Sequence, residues 1–253
     1  MVPIFHGQNR RRFYPPSYND LLLWINAESP LNYTLSGNSV ITITDLSPRA
    51  QNPEYQSGYH AAVTSYNGGI NNCFVFPDNS NYWFYNILST ASQFEVYVVG
   101  YRTSPNGVSS KNYFLWEPSA YAPSYKLKMG FEAHTAWDGN VVTDDLGTEL
   151  YSANANPIFN NLGCLTYQIT YLNNIYTFNK DKLYINNSEG IYSDRSAALS
   201  QDIKFGFLGS HSDSQNSSFP VNNYLAEILI YNRQLSTVER TQLYTDLHNK
   251  YIL

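Results

Sequence analysis

What most limits the folding of this sequence is a long series of short β-prone runs, broken every few residues by turn formers. Residues 21–25 (Leu-Leu-Leu-Trp-Ile) make the first apolar run, and residues 40–44 are β-branched throughout, which favours a strand. Residues 73–76 stop at Pro77. Residues 94–101 alternate about Phe94, Val96 and Val98, the period of a half-buried strand. Residues 126–131 form a weaker run, and residues 165–172 set Leu165, Tyr167, Ile169 and Tyr171 against Thr166, Gln168 and Thr170. Residues 175–178, 183–185, 204–208 and 224–231 complete the series. About ten strands at such spacing, with no helices between them, predict an all-β antiparallel two-sheet sandwich.

The connections are rich in Asn, Gly, Ser and Pro. Asn and Gly tolerate positive φ, and Asn bonds its own backbone, so the 29 asparagines read as turn material. Charged residues make up 14% of the chain, against about 25% for an average soluble protein, and the net charge is −5. These values exclude a basic nucleic-acid binder, a coiled coil and a charged disordered tail. No window approaches the roughly 20 apolar residues of a membrane span.

One helix is legible. Ser236-Thr237-Val238-Glu239 fits a capping box, and Leu243, Leu247 and Tyr251 repeat every four residues as one apolar stripe. The chain is expected to close with a short amphipathic α-helix on the sandwich.

At the other end, residues 1–19 have no period and carry Pro15-Pro16, so they read as an extended arm ahead of a domain spanning 20–253. Arg10, Arg11 and Arg12, with Phe13 and Tyr14, are either a solvated turn or a docking arm for an acidic partner surface. The arginines follow the short apolar stretch, the reverse of a secretory signal, so the expectation is a chain made in the cytoplasm without a signal peptide. Cys73 and Cys164 read as small buried hydrophobes, though two cysteines can form one bridge. The sequons at Asn32, Asn186 and Asn216 are what an Asn- and Ser-rich chain shows by chance.

Residues 224–240 (Tyr-Leu-Ala-Glu-Ile-Leu-Ile-Tyr-Asn-Arg-Gln-Leu-Ser-Thr-Val-Glu-Arg), followed by Lys250-Tyr251, resemble the closing strand, turn and helix of concanavalin A-like, laminin-G-like domains. Leu23-Trp24-Ile25-Asn26-Ala27 resembles that family's opening strand, and Asp45-Leu46-Ser47 its Asp-x-Ser segment. Residues 74–82, 94–102 and 182–187 are similar more loosely. The sequence departs from the pattern at Thr42 and Thr44 (usually Trp), Pro48, Pro77 and Asn187. The resemblance spans about residues 21–253 and implies a concanavalin A-like jelly roll. Members bind glycans, proteins or other ligands through loops and the concave sheet. A minority are glycoside hydrolases, and similar domains occur in phage and viral virion proteins. Fold alone does not choose among these.

Hydrolases of this fold carry carboxylates at i and i+2 on one strand, so that two acids flank a glycosidic bond at about 5–9.5 Å. No Asp or Glu here has another at i+2, and adjacent Asp144 and Asp145 would face opposite ways on a strand. Glu227 stands inside an apolar strand and reads as a structural carboxylate, a general acid being the alternative, with Trp24, Asp45, Ser236 and Glu239 as further structural residues. The five histidines form no metal motif, so no metal site or cofactor is expected. Calcium stays open, because Asp138-Gly139-Asn140 with Asp144-Asp145 offers oxygens in one loop region, although an Asp-Gly turn explains the same residues.

Sugar recognition uses aromatic rings with Asn or Asp beside them. Residues 116–125 (Trp116, Tyr121, Tyr125) and 134–140 (His134, Trp137, Asp138, Asn140) have that mixture, and Trp83 centres a third aromatic cluster at 81–85. Core packing or protein contact would use the same residues. The expectation is a non-catalytic binding or assembly module: a virion decoration, fibre or tail-associated protein that docks on capsid or tail proteins and binds cell-surface glycans, as a monomer or homo-oligomer. A lectin-like module of a cellular protein and a glycoside hydrolase are the alternatives.

Overall fold

The structure is a computed structural model. It describes residues 14–57, 61–66, 71–76, 81–89, 93–102, 110–116, 127–133, 139–144, 149–152, 163–172, 175–177, 182–185, 188–189, 196–198, 203–212 and 223–251. Side chains are described at 14–53, 61–65, 72–76, 94–100 and 224–251.

The strands are β1 (Leu21–Asn26), β2 (Tyr33–Ser36), β3 (Ser39–Ile43), β4 (Glu54–Ser57), β5 (Ala62–Tyr66), β6 (Asn71–Phe76), β7 (Asn81–Ser89), β8 (Gln93–Arg102), β9 (Ser110–Trp116) and β10 (Leu127–Ala133). They continue with β11 (Gly139–Asp144), β12 (Glu149–Ser152), β13 (Gly163–Leu172), β14 (Ile175–Thr177), β15 (Lys182–Ile185), β16 (Ser188–Glu189), β17 (Ser196–Ala198), β18 (Ile203–Ser212) and β19 (Asn223–Tyr231). Helix α1 (Thr237–Tyr251) follows. The pairing is antiparallel throughout, and the molecule is an antiparallel β-sandwich with one C-terminal helix.

The first sheet runs β16-β15-β13-β8-β19-β6-β5, with β1 also on β19 and β14 and β17 branching from β13. The second runs β12-β11-β10-β9-β18-β7-β4, and β2 and β3 form a separate hairpin. Strand β19 organises the first sheet. One edge pairs with β8 along its length, while the other pairs with β6 over Asn223–Leu225 and with β1 over Glu227–Tyr231. The handover falls at a bulge between Leu225 and Glu227, where the Ala226 carbonyl accepts from the Ala27 N–H at 2.9 Å.

Register divides this sheet into two chemically different faces. Leu23, Ile230 and Val96 lie in one row, and Ile25, Ile228 and Val98 in another, all buried. This apolar face is turned to the second sheet, whose β9 approaches β19. The opposite face carries Trp24, Leu229 and Tyr97 in one row and Asn26, Glu227 and Val99 in another. Helix α1 covers it with Leu243, Leu247 and Tyr251, the stripe that the four-residue spacing predicts.

The expected strands are present, with ends shifted by a residue or more. The differences lie elsewhere. Residues 139–144, expected as a turn and loop, form strand β11. At about 3.3 Å per residue, Asn140 and Asp144 are then about 13 Å apart, which removes the shared loop that a calcium site would need. Trp116 ends strand β9, and Trp83 lies within nine-residue β7. Residues 14–19, expected as extended arm, include instead buried Pro15 and part of a 3-10 turn at Tyr18–Asp20. The reason is side-chain bonding: Tyr18 donates to the Leu46 carbonyl at 2.9 Å, and Ser17 is held by Arg233. The cysteines do not meet. Cys164 lies on β13 and buried Cys73 on β6, three strand spacings apart in the order β13-β8-β19-β6. At about 4.8 Å each that is roughly 14 Å, twice the reach of a disulfide.

Candidate functional site

Two acids of the described core with no exposed surface, Glu227 and Glu95, lie beneath α1. Glu227 Oε1 accepts from Trp24 Nε1 at 2.6 Å and Asn26 Nδ2 at 3.5 Å. Its Oε2 accepts from Lys250 Nζ at 2.7 Å and the Tyr251 hydroxyl at 2.8 Å. The helix brings Lys250 and Tyr251 to the acid as neighbours in its last turn. Lys250 also pairs with Glu28 at 3.2 Å. Burial, with the Glu227 charge beside it, pushes the Tyr251 hydroxyl well above its ordinary pKa, so it stays a donor.

Glu95 lies four residues from Val99, the position opposite Glu227. It accepts from the Tyr97 hydroxyl at 2.6 Å and the Leu235 N–H at 2.7 Å, and Arg240 Nε lies at 3.4 Å. The two acids are about 13 Å apart along the sheet, beyond the spacing at which a carboxylate pair cleaves a glycosidic bond. Each is enclosed by donors from the fold. Their arrangement suits holding β1, β8, β19 and α1 together rather than proton transfer to a ligand.

Two smaller networks flank this face. Asp45 accepts from the N–H groups of Trp24 at 3.0 Å, Ser47 at 2.9 Å and Gln51 at 3.1 Å, and from the Ser47 hydroxyl at 2.8 Å, so one carboxylate folds the 45–52 loop onto β1. At the start of α1 the Ser236 N–H donates to Glu239 at 2.8 Å and the Glu239 N–H to Ser236 Oγ at 3.3 Å, the reciprocal pair of a capping box. Glu239 also accepts from Arg233 at 2.6 and 3.1 Å and from the Ser17 hydroxyl, while Arg233 Nε holds Asp20 at 2.7 Å. Arg233, Ser17 and Ser236 together hold the Glu239 carboxyl far below its usual range, with the arginine the largest cause.

Sequence reasoning singled out Glu227 alone among strand acids and missed Glu95, Lys250 and Arg233. The available signal for Glu95 was its place in the row of Tyr97 and Val99, an acid between apolar neighbours on a strand buried on both faces.

The candidate ligand residues are placed less completely. Trp116 stands opposite Phe207 of β18 and Lys128 of β10, and Trp83 opposite Leu208 of β18 and Tyr55 of β4. The two tryptophans therefore occupy successive rows of one ladder, on either side of β18. Asn140 stands opposite Phe131 and Ser152, two strands beyond β9. Tyr121, Tyr125, His134, Trp137 and Asp138 lie outside the described residues, as do Arg10, Arg11, Arg12 and Phe13. Tyr14 is exposed, its ring 4.7 Å from that of Tyr18.

No protein-family model matches the sequence, and no curated protein matches it. Solved structures do share the fold. One is botulinum neurotoxin type C, whose uptake by cells depends upon interaction with two ganglioside molecules (12% identity, TM-score 0.59, 91% of this chain and 52% of that one). A second is the botulinum neurotoxin serotype D binding domain (12%, 0.59, 90% and 52%). A third is the binding domain of Paraclostridial Mosquitocidal Protein 1 (12%, 0.57, 92% and 53%). The chain thus spans about half the length of these neighbours, the second and third of which are binding domains. At such identity the likeness is one of fold.

Proposed function

We propose that this chain is a non-catalytic recognition module of the laminin-G-like class that binds a glycan. The observation that carries the reading is the state of the buried acids. Glu95 and Glu227 are each saturated by donors from the fold and stand too far apart to work as a pair, in a sandwich whose solved neighbours are binding domains. One of those neighbours interacts with gangliosides, and another is a botulinum neurotoxin DC binding domain in complex with a sialyl glycan, SialylT. The same chemistry here would use Trp116 and Trp137 as stacking platforms, with Asp138 and Asn140 bonding hydroxyls.

The test is a glycan array that includes sialylated and ganglioside-type sugars. Signal that drops at least tenfold on Trp116→Ala or Trp137→Ala supports the reading, and silence across the array removes it.

The neighbouring reading, display on a virion surface with docking to capsid or tail proteins, rests on the Tyr-rich, charge-poor composition and on exposed Tyr14 following Arg10–Arg12. It predicts docking that disappears when residues 1–13 are deleted. A truncation that docks like the intact chain rejects it.

A further inference from the structure

The β2–β3 hairpin is a two-stranded sheet with one covered edge and one open edge. On the β3 side the Val40 N–H donates to the Ala61 carbonyl at 2.7 Å. On the β2 side, among the described residues, nothing pairs with the strand, and Thr34, Leu35 and Ser36 are exposed. The ladder fixes which peptide groups point outward. The Thr44 N–H donates to the Asn32 carbonyl at 2.8 Å, and Thr34 then stands opposite Thr42. Bonded and non-bonded pairs alternate in an antiparallel ladder, so Thr34 bonds inward. Across the bulge that follows, Leu35 stands opposite Val40, whose N–H points away to Ala61, so this pair is a non-bonded one and Leu35 presents its N–H and carbonyl to the outside.

Open edges in native sheets are commonly guarded by lysine, proline or a covering element. Among the described residues this one has no such guard. From Ser29 to Thr44 the sequence holds no charged residue, and Leu31, Leu35 and Ile41 are 89%, 48% and 43% exposed. In a chain of net charge −5, the hairpin is a place where two copies can meet without setting like charges together.

We infer that the β2 edge is a self-association surface, on which a second copy of this chain pairs antiparallel about a twofold axis. Leu35 of one copy lies opposite Leu35 of the other and exchanges N–H to carbonyl bonds both ways, and Thr34 meets Ser36. A twofold arrangement uses the same short edge twice and leaves no new edge open, so it closes at a dimer. Leu31, Leu35 and Ile41 supply apolar area that backbone bonds alone lack. The edge is only four residues long, so the association is weak.

Sedimentation equilibrium from about 5 to 500 µM tests this, the range in which weak dimers populate. The expected result is a mass rising with concentration from 28.8 kDa toward twice that value. Leu35→Pro removes the outward N–H but none of the hairpin's own bonds, and should hold the mass at the monomer value throughout. Leu35→Lys at this exposed site sets two cations together across the axis. It should lose the dimer at low salt and regain part of it at high salt, with an unchanged circular dichroism spectrum and melting temperature. A wild-type chain that stays monomeric over the whole range overturns the inference, even if it binds some other strand. So do both variants dimerising like the wild type.

Discussion

The indole nitrogen of Trp24 donates to Glu227 Oε1 at 2.6 Å across 203 residues of sequence, joining the first strand of the sandwich to the last. Lys250 and Tyr251 close the same carboxylate from the helix. Glu227 therefore belongs to three elements at once. Replacing it with Ala takes one acid away from Lys250 and removes the acceptor of the Trp24 indole N–H and the Tyr251 hydroxyl. Breaking a buried ion pair from one side costs about 3–5 kcal/mol. Urea denaturation of Glu227→Ala should show a loss of that size, whereas a loss below about 1 kcal/mol would mean the network contributes little.

A second outcome concerns pH. The folded-state pKa of Glu239 is depressed by Arg233, Ser17 and Ser236. A depressed carboxylate stabilises the fold at pH values above its unfolded pKa, about 4.3, and that contribution is lost as pH falls through the folded value. Wild type should thus lose stability from about pH 5 downward more steeply than Glu239→Gln, which cannot titrate there. Parallel urea midpoints for the two proteins between pH 6 and 3 would refute the assignment.

The parts of this fold that could be read from the sequence are those set by local rules. The capping box at Ser236 and the stripe Leu243, Leu247 and Tyr251 depend on residues three and four apart, and α1 forms there. Strands β1, β8 and β19 are apolar runs of the right length, and they form the core. Glu95 was hidden because β8 is buried on both faces: Phe94, Val96 and Val98 gave the period, and the row with Tyr97 and Val99 is covered only once α1 is docked. The clasp of Ser17, Arg233 and Glu239 joins residues 216 and 222 positions apart, which no spacing announces. Strands β7, β9 and β11 escaped because Asn- and aromatic-rich segments read equally well as loops. Trp83, Trp116 and Asn140 stand on these strands.

Cys73 gives the third outcome. Burial pushes its thiol up to about 12, so raising the pH to 9 creates almost no thiolate. Its distance from Cys164 leaves it without a disulfide partner within this chain. Reaction with a thiol reagent at pH 8 should leave Cys73 unmodified in the native protein and modify it in urea, as followed by mass spectrometry of the Cys73 peptide. Rapid native labelling of that peptide would contradict the buried placement.

The last outcome turns on Tyr231. It stands opposite Glu95 on the sheet, its ring is buried and edge-on to Tyr97 at 6.0 Å, and among the described residues its hydroxyl has no hydrogen-bond partner. An unsatisfied buried hydroxyl costs about 1–3 kcal/mol in desolvation. Phenylalanine keeps the ring, the contact with Tyr97 and the packing beneath α1, and it removes the unpaired oxygen. Tyr231→Phe is therefore expected to match or exceed the wild type in urea denaturation, in contrast to the loss at Glu227 on the same face. The comparison separates two kinds of buried polarity: a carboxylate whose donors come from the fold around it, and a hydroxyl that burial first, and then the charges of Glu227 and Glu95, have pushed far above its ordinary pKa. A Tyr231→Phe loss of more than about 1 kcal/mol would show that the hydroxyl is bonded in solution, with a buried water as its partner.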